Sequence, residues 1–176
     1  MNNQVLIDNL RCIPDFPKKG INFRDVTTLY KSGECMKIML DELYELYKDK
    51  GITKIVGIES RGFVMASALA ARLGCGVVLA RKPGKLPRET VSVSYALEYG
   101  TAEIHVHKDA IKPGDRVLIV DDLLATGGTA KAAAELIESL GGVVVKMIFV
   151  MELAGLKGRE KLAKYDVESL IVYEGK

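Results

Sequence analysis

The chain has 176 residues, 48% hydrophobic and 27% charged, a balance that can bury a sizeable core and that excludes a disordered protein. Its 25 basic and 23 acidic residues leave a formal net charge of +2, too even to drive non-specific binding to nucleic acid or to an anionic membrane. At roughly 150 residues per domain, one α/β domain over residues 1–176 is expected.

Cys12, Cys35 and Cys75 are odd in number and show no CxxC spacing, which suits reduced, intracellular thiols. MNNQVLIDNLRCIPDF lacks a basic segment followed by an apolar one. No apolar run approaches the ~20 residues of a membrane span, so a cytoplasmic protein is expected.

In chain order, residues 2–12 read as a short amphipathic helix ending before the turn signal IPDFPKKG, and INFRDVTTLY, without clear periodicity, reads as a loop. Met36, Met39, Leu40, Leu43 and Tyr47 recur at helical spacing and predict a helix from Gly33 to Lys48. KIVGI at 54–58 is a buried strand that ends in ESRG and leads into the helix FVMASALAARLG, and GVVLA at 76–80 is the next strand. RKPGKLPRET is a basic loop carrying Arg81, Lys82, Lys85 and Arg88. VSVSYALEYG and TAEIHVH alternate apolar and polar residues across a glycine, the pattern of an antiparallel hairpin at a sheet edge. On it, His105 and His107 share a face with Glu103 but have no third partner spaced for a metal, and are read as half-exposed strand residues.

DRVLIV at 115–120 is a third strand, AKAAAELIESL a helix, and GVVVKMIFVME a fourth strand. The C-terminal GLKGREKLAKYDVESLIVYEGK reads as a short helix and a last strand, with no site assigned. Alternating strands and helices imply right-handed crossovers and a parallel sheet covered on both faces. Ligands then bind outside the carboxyl ends of the strands.

The chemistry concentrates in VLIVDDLLATGGTA. Backbone amides of Thr126, Gly127, Gly128 and Thr129 can converge on a phosphate at a helix N-terminus. The stretch is neither GxxxxGK[ST] nor GxGxxG. Asp121 and Asp122 would repel a phosphate beside them, so the ligand must present hydroxyl donors, a metal ion or both at that point. A sugar phosphate satisfies both ends.

VLIVDDLLATGGTA resembles the phosphoribosyl-diphosphate signature of the type I phosphoribosyltransferases. PDFPKKGINFRD, GIESRGF, RKPGKLPRET and SYALEYG resemble segments of the adenine-using branch in the same order, and the likeness runs from residue 13 to about 163. The resemblance implies the family's α/β fold: a central, mostly parallel sheet flanked by helices, with a small N-terminal hood and a flexible catalytic loop. It implies transfer of ribose 5-phosphate from phosphoribosyl diphosphate to adenine, giving AMP and diphosphate, with magnesium held mainly through substrate diphosphate and water, in a homodimer.

By that resemblance, Ala125, Thr126, Gly127, Gly128 and Thr129 hold the 5′-phosphate, and Asp121 and Asp122 the ribose hydroxyls. Glu59, Ser60, Arg61 and Gly62 form the diphosphate loop, and Arg81, Lys82, Lys85 and Arg88 close over it as a lid. Glu98 is the acid/base at the purine imidazole edge. Asn22, Phe23 and Arg24 with Leu123 line the base pocket, although the family usually has an aliphatic residue where Asn22 stands, and Phe23 can equally be a core aromatic. Two rival readings stay open: a transferase for another base, and a regulator that binds phosphoribosyl diphosphate and acts on nucleic acid. The latter would want an added DNA-binding element or a basic stripe.

Overall fold

The structure is a computed structural model that describes residues 3–97 and 100–175. Five strands, β3 (Lys54–Ile58), β4 (Gly76–Ala80), β7 (Arg116–Leu124), β8 (Val143–Leu153) and β9 (Val167–Tyr173), form a wholly parallel sheet in the order β4-β3-β7-β8-β9. Each parallel pair needs a crossover, and helices supply most of them, which covers both faces. One face buries α1 (Gln4–Asn9), α3 (Gly33–Tyr47) and α4 (Gly62–Leu73) through Leu6, Met39, Leu43, Met65 and Leu69. The other buries α5 (Gly128–Ser139) through Ala133, Leu136 and Ile137.

The α3 stripe is turned slightly from the expected one. Ser32 caps the helix by accepting from the Cys35 amide at 3.2 Å, and Cys35, Met39, Leu43 and Tyr47 form the buried line while Met36 and Leu40 sit half-buried at its margin.

Three further expectations need correction. IPDFPKKG and INFRDVTTLY are not simply turn and loop: β1 (Arg11–Pro14) pairs antiparallel with β2 (Asn22–Asp25), and α2 (Thr27–Tyr30) follows. Four-residue strands that pair only with one another carry too little alternation to be seen by periodicity. The third strand does not end at residue 120. β7 continues through both aspartates to Leu124 because its ladder with β8 persists, with Asp121 opposite Phe149 and Leu123 opposite Met151.

The hairpin of β5 (Thr90–Ala96) and β6 (Thr101–His107) is antiparallel as expected, but it forms its own two-stranded sheet. It is linked to the segment after β4 by an isolated Arg81–His105 bridge, and its Tyr95 ring lies 3.5 Å from where a Cβ on Gly128 would stand. In it, His105 Nδ1 meets the Thr90 hydroxyl at 3.0 Å and His105 Nε2 meets Glu103 at 3.0 Å, so this histidine is held by its own hairpin.

Candidate active site

The carboxyl ends of β3 and β7 deliver the two most distinctive motifs to one place. β7 ends in Asp121–Leu124, and the chain then turns through Ala125, Thr126 and Gly127 into α5. Gly127 is the helix N-cap at φ 79°, a left-handed conformation that brings successive amides round to one side. A cavity of about 80 Å³ lies there, lined by Asp121, Leu123 and the whole run 124–130. It is small, and α5 adds positive potential at its floor. Thr126 is exposed and its hydroxyl is open to a ligand. The hydroxyl of Thr129 instead donates to the Tyr95 hydroxyl at 3.1 Å, which ties the hairpin to the turn.

A second cleft of about 380 Å³ adjoins the first and shares Asp121, Leu123 and Thr129 with it. Its other walls are Ile58, Glu59, Ser60, Arg61, Lys82, Tyr95 and Asp122. The 59–62 loop and the acid pair therefore line one space side by side, with Arg61 in direct contact with Asp122. Gly62 shows why they can approach so closely: a Cβ there would stand 2.7 Å from the Val120 carbonyl oxygen and 3.0 Å from Asp121 Oδ1. Any other residue at the first position of α4 would push the loop off the end of β7.

Asp122 is 5% exposed and accepts from Arg61 Nε at 2.5 Å, while Asp121 Oδ1 accepts from the Asp122 amide at 2.8 Å. Burial pushes the Asp121 carboxyl well above its usual range, and the charge of Asp122 pushes it further. Tyr30 donates its hydroxyl to the Arg61 carbonyl at 3.2 Å, and burial followed by the charges of Asp122 and Asp121 raises its pKa too.

An acid whose folded pKa lies above its unfolded value binds more protons folded than unfolded. Stability is therefore lost as pH rises through that interval. Asp121→Asn removes a carboxyl whose ionisation is opposed by desolvation and by the Asp122 charge, and keeps an oxygen for the Asp122 amide. Its Tm is expected to exceed that of the parent at neutral pH, with the gap closing below about pH 4, where Asp121 is protonated in both states. Thermal melts at the two pH values check this, and a mutant less stable at neutral pH would contradict it.

Glu59 and Ser60 are joined by a cis peptide, and Glu59 reaches across to the start of the basic loop. Glu59 Oε2 accepts from the Lys82 amide at 2.9 Å and from Arg81 Nε at 3.2 Å. Burial raises this carboxyl, but the Lys82 amide and the Arg81 guanidinium outweigh it and hold its pKa below the usual value. Lys82 lines the cleft, whereas Lys85 is exposed and gives only its carbonyl to Arg81 Nη1 at 3.2 Å. Arg88 pairs with Asp109 at 3.0 Å and does not line the cleft. The loop is thus organised at its first two residues by Glu59, a link that the sequence reading missed.

Among the described residues of the expected base pocket, only Leu123 lines the cleft. Asn22 is exposed, Phe23 is half-buried with its ring edge-on to Phe16 at 5.2 Å, and Arg24 stacks over Tyr173 at 4.3 Å. Glu98 lies outside the described residues. Tyr30 and Tyr95 belong to the site and were not expected. Tyr95 stands in SYALEYG, so a signal for it existed; Tyr30 stands in a stretch without periodicity, and nothing marked it.

The sequence profile of the phosphoribosyl transferase domain matches residues 25–174, and the chain belongs to that family. An adenine phosphoribosyltransferase from Phocaeicola vulgatus is 60% identical over 160 residues, covering 91% of this chain and 92% of the relative. Among solved structures, adenine phosphoribosyltransferase from Thermoanaerobacter pseudethanolicus superposes with a TM-score of 0.92 at 49% identity, covering 97% of this chain and 99% of its own. The Saccharomyces cerevisiae enzyme, crystallised with D-2,5-dideoxy-2,5-imino-altritol 1,6-bisphosphate and adenine, gives 0.90 at 42%, covering 96% and 97%.

Proposed function

We propose that this protein is an adenine phosphoribosyltransferase of purine salvage, converting adenine and 5-phospho-α-D-ribose 1-diphosphate to AMP and diphosphate. The observation that carries the reading is the pair of adjoining cavities that share Asp121: a small one lined by the 124–130 turn, and a larger one lined by both acids together with Arg61 and Lys82. A pentose with a phosphate at one end, hydroxyls in the middle and a diphosphate at the other has that order of charge. The choice of adenine rests on the relatives, which carry that name at 60% identity and below over nearly the full chain.

In this reading the amides of residues 125–129 and the Thr126 hydroxyl hold the 5′-phosphate, with Thr129 contributing its amide while its hydroxyl braces Tyr95. Asp121 and Asp122 accept from the ribose hydroxyls and stabilise positive charge as the C1–oxygen bond breaks. Arg61, Lys82 and the amides of the 59–62 loop take the departing diphosphate, Arg81 supports that loop through Glu59, and Lys85 and Arg88 close over it.

Adenine N9 forms the new bond to C1 and the proton at N7 passes to Glu98, while Phe23, the backbone of Asn22 and Arg24, and Leu123 hold the ring. Among the described residues no group of three His, Cys, Asp or Glu side chains could hold a metal. Magnesium would be held through substrate oxygens and water, where it would supply countercharge for the leaving diphosphate.

We read residues 1–176 as a single catalytic domain working in the cytoplasm. No helix among the described residues is long and apolar enough to cross a membrane. A homodimer is supported by exposed apolar Val64 on α4 and Val77 and Leu79 on the edge strand β4; sedimentation giving a monomer mass would refute it.

The functional test offers adenine, hypoxanthine, guanine, xanthine and pyrimidines in turn with phosphoribosyl diphosphate and magnesium. Diphosphate release is expected with adenine. Release confined to another base would reassign the specificity, and binding of the sugar with no release at all would favour a regulator.

A further inference from the structure

A cluster outside the cleft touches the phosphate turn from behind. The chain after β8 makes a tight bend at Ala154–Leu156, passes through Lys157 at φ 56°, and forms the four-residue α6 (Gly158–Lys161). Gly158 is buried against the turn. A Cβ on Gly127 would stand 2.6 Å from the Gly158 carbonyl oxygen, and a Cβ on Gly158 would strike the Ala125 carbonyl oxygen and come within 2.8 Å of Leu124 Cδ1. The two backbones are in direct contact with no side chain between them, so the place of Gly158 sets the place of Ala125–Gly127.

A four-residue helix has no stability of its own, so something else must fix α6. Arg159, the next residue, supplies it. Its Nε donates to Glu152 Oε1 at 2.8 Å and its Nη2 to Glu152 Oε2 at 2.8 Å, a two-pronged pair, and Nη1 donates to the Val167 carbonyl at 3.0 Å. Ser169 donates its hydroxyl to Glu152 Oε2 at 2.7 Å. Glu152 and Ser169 are 3% and 2% exposed on β8 and β9, so they form a rigid anchor in the sheet, and Leu162 pins the far end of α6 in the α5 core. Arg159 donates to a buried carboxylate and stands one residue from the Gly158 contact with the turn, so it is placed to orient that turn, with Ser169 fixing the carboxylate it grips.

We propose that Glu152, Arg159 and Ser169 are positioning residues for the 5′-phosphate turn, acting through Gly158 and setting the affinity for the phosphorylated sugar. The inference rests on the reading of residues 125–129 as the phosphate site.

The experiment uses the full-length enzyme. It measures KM for each substrate and, separately, the binding of ribose 5-phosphate by calorimetry. Arg159→Met is expected to raise both KM for phosphoribosyl diphosphate and Kd for ribose 5-phosphate by about ten-fold or more, since misplacing a contact by about 1 Å can cost about 100-fold. KM for adenine stays unchanged, and Arg159→Lys, which keeps the charge and loses the fork, falls between.

A clamp with only a structural role would lower Tm and leave both KM values alone, and that outcome overturns the proposal, as does an equal rise in both. If Arg159→Met does not fold, Arg159→Lys and Ser169→Ala, which leave a cation beside Glu152, decide the question by the same split. Failure of the underlying reading looks different: the parent enzyme itself would not bind ribose 5-phosphate, or Gly127→Ala would leave that binding unchanged, and the inference would fall with it.

Discussion

Asp122→Asn should lower kcat by about 10²- to 10³-fold, the range found when one preorganised electrostatic contact is removed from a reacting centre. The substitution keeps shape at a site that is 5% exposed, so it opens no cavity. What it removes is charge. The sugar becomes cationic at C1 only as the bond to diphosphate breaks, so a nearby carboxylate acts more on the transition state than on the bound substrate. The loss should therefore fall on kcat, with KM for phosphoribosyl diphosphate changing little.

Arg61 loses its 2.5 Å partner, but 46% of its side chain is exposed, so it can turn to solvent or substrate without leaving a buried unpaired charge. A second readout separates this account from general damage. After burial, the Asp122 charge is the next largest cause raising Asp121. With Asn at 122 the Asp121 carboxyl should ionise at lower pH, and the acid limb of kcat/KM should move the same way. Steady-state rates from about pH 4 to 8 test both claims. An unchanged kcat, or an acid limb that moves upward, would remove Asp122 from the role given to it.

Much of this site could be read from letters, and the reason is local. The phosphate turn, the two acids before it and the ESRG loop are contiguous motifs in which one element places every group, so residue order already implies geometry. The five strands of the central sheet were legible for a related reason: buried parallel strands are short apolar runs, and each is followed by a helix or a turn signal. What stayed hidden was made by contacts distant in sequence. Glu59 reaches Lys82 and Arg81 more than twenty positions on, Tyr30 reaches Arg61, and Glu152 on β8 joins Arg159 and Ser169 on either side of a turn. None of these pairs has a spacing that periodicity would reveal. The first hairpin was missed for a different reason, since its strands satisfy only each other and bury little that alternates.

Gly127→Ala should reduce kcat/KM for phosphoribosyl diphosphate by about 100-fold, with KM carrying most of the loss, because two costs fall on the same peptide. The first is conformational. Gly127 sits at φ 79°, and holding alanine in the left-handed region costs about 1–2 kcal/mol. The second is steric. The added Cβ would stand 2.6 Å from the Gly158 carbonyl oxygen, and the obstacle is backbone held by the Arg159–Glu152 pair, not the end of a side chain that could swing away.

Relief must then come from the turn, which carries the amides proposed to hold the phosphate. Shifting them weakens several hydrogen bonds together and also moves the first turn of α5. Part of the strain will appear as lost stability. A cost of about 1–2 kcal/mol lowers Tm by roughly 2–8 °C in a chain of this size, so the mutant should remain folded at assay temperature. KM for adenine should change far less, since in the proposed reading residues 22–24 on β2 hold the base and only Leu123 adjoins the turn. Initial rates with each substrate varied in turn, beside a thermal melt, distinguish the outcomes: a fall in kcat alone, or equal rises in both KM values, would mean that the 125–129 turn does not hold the sugar phosphate.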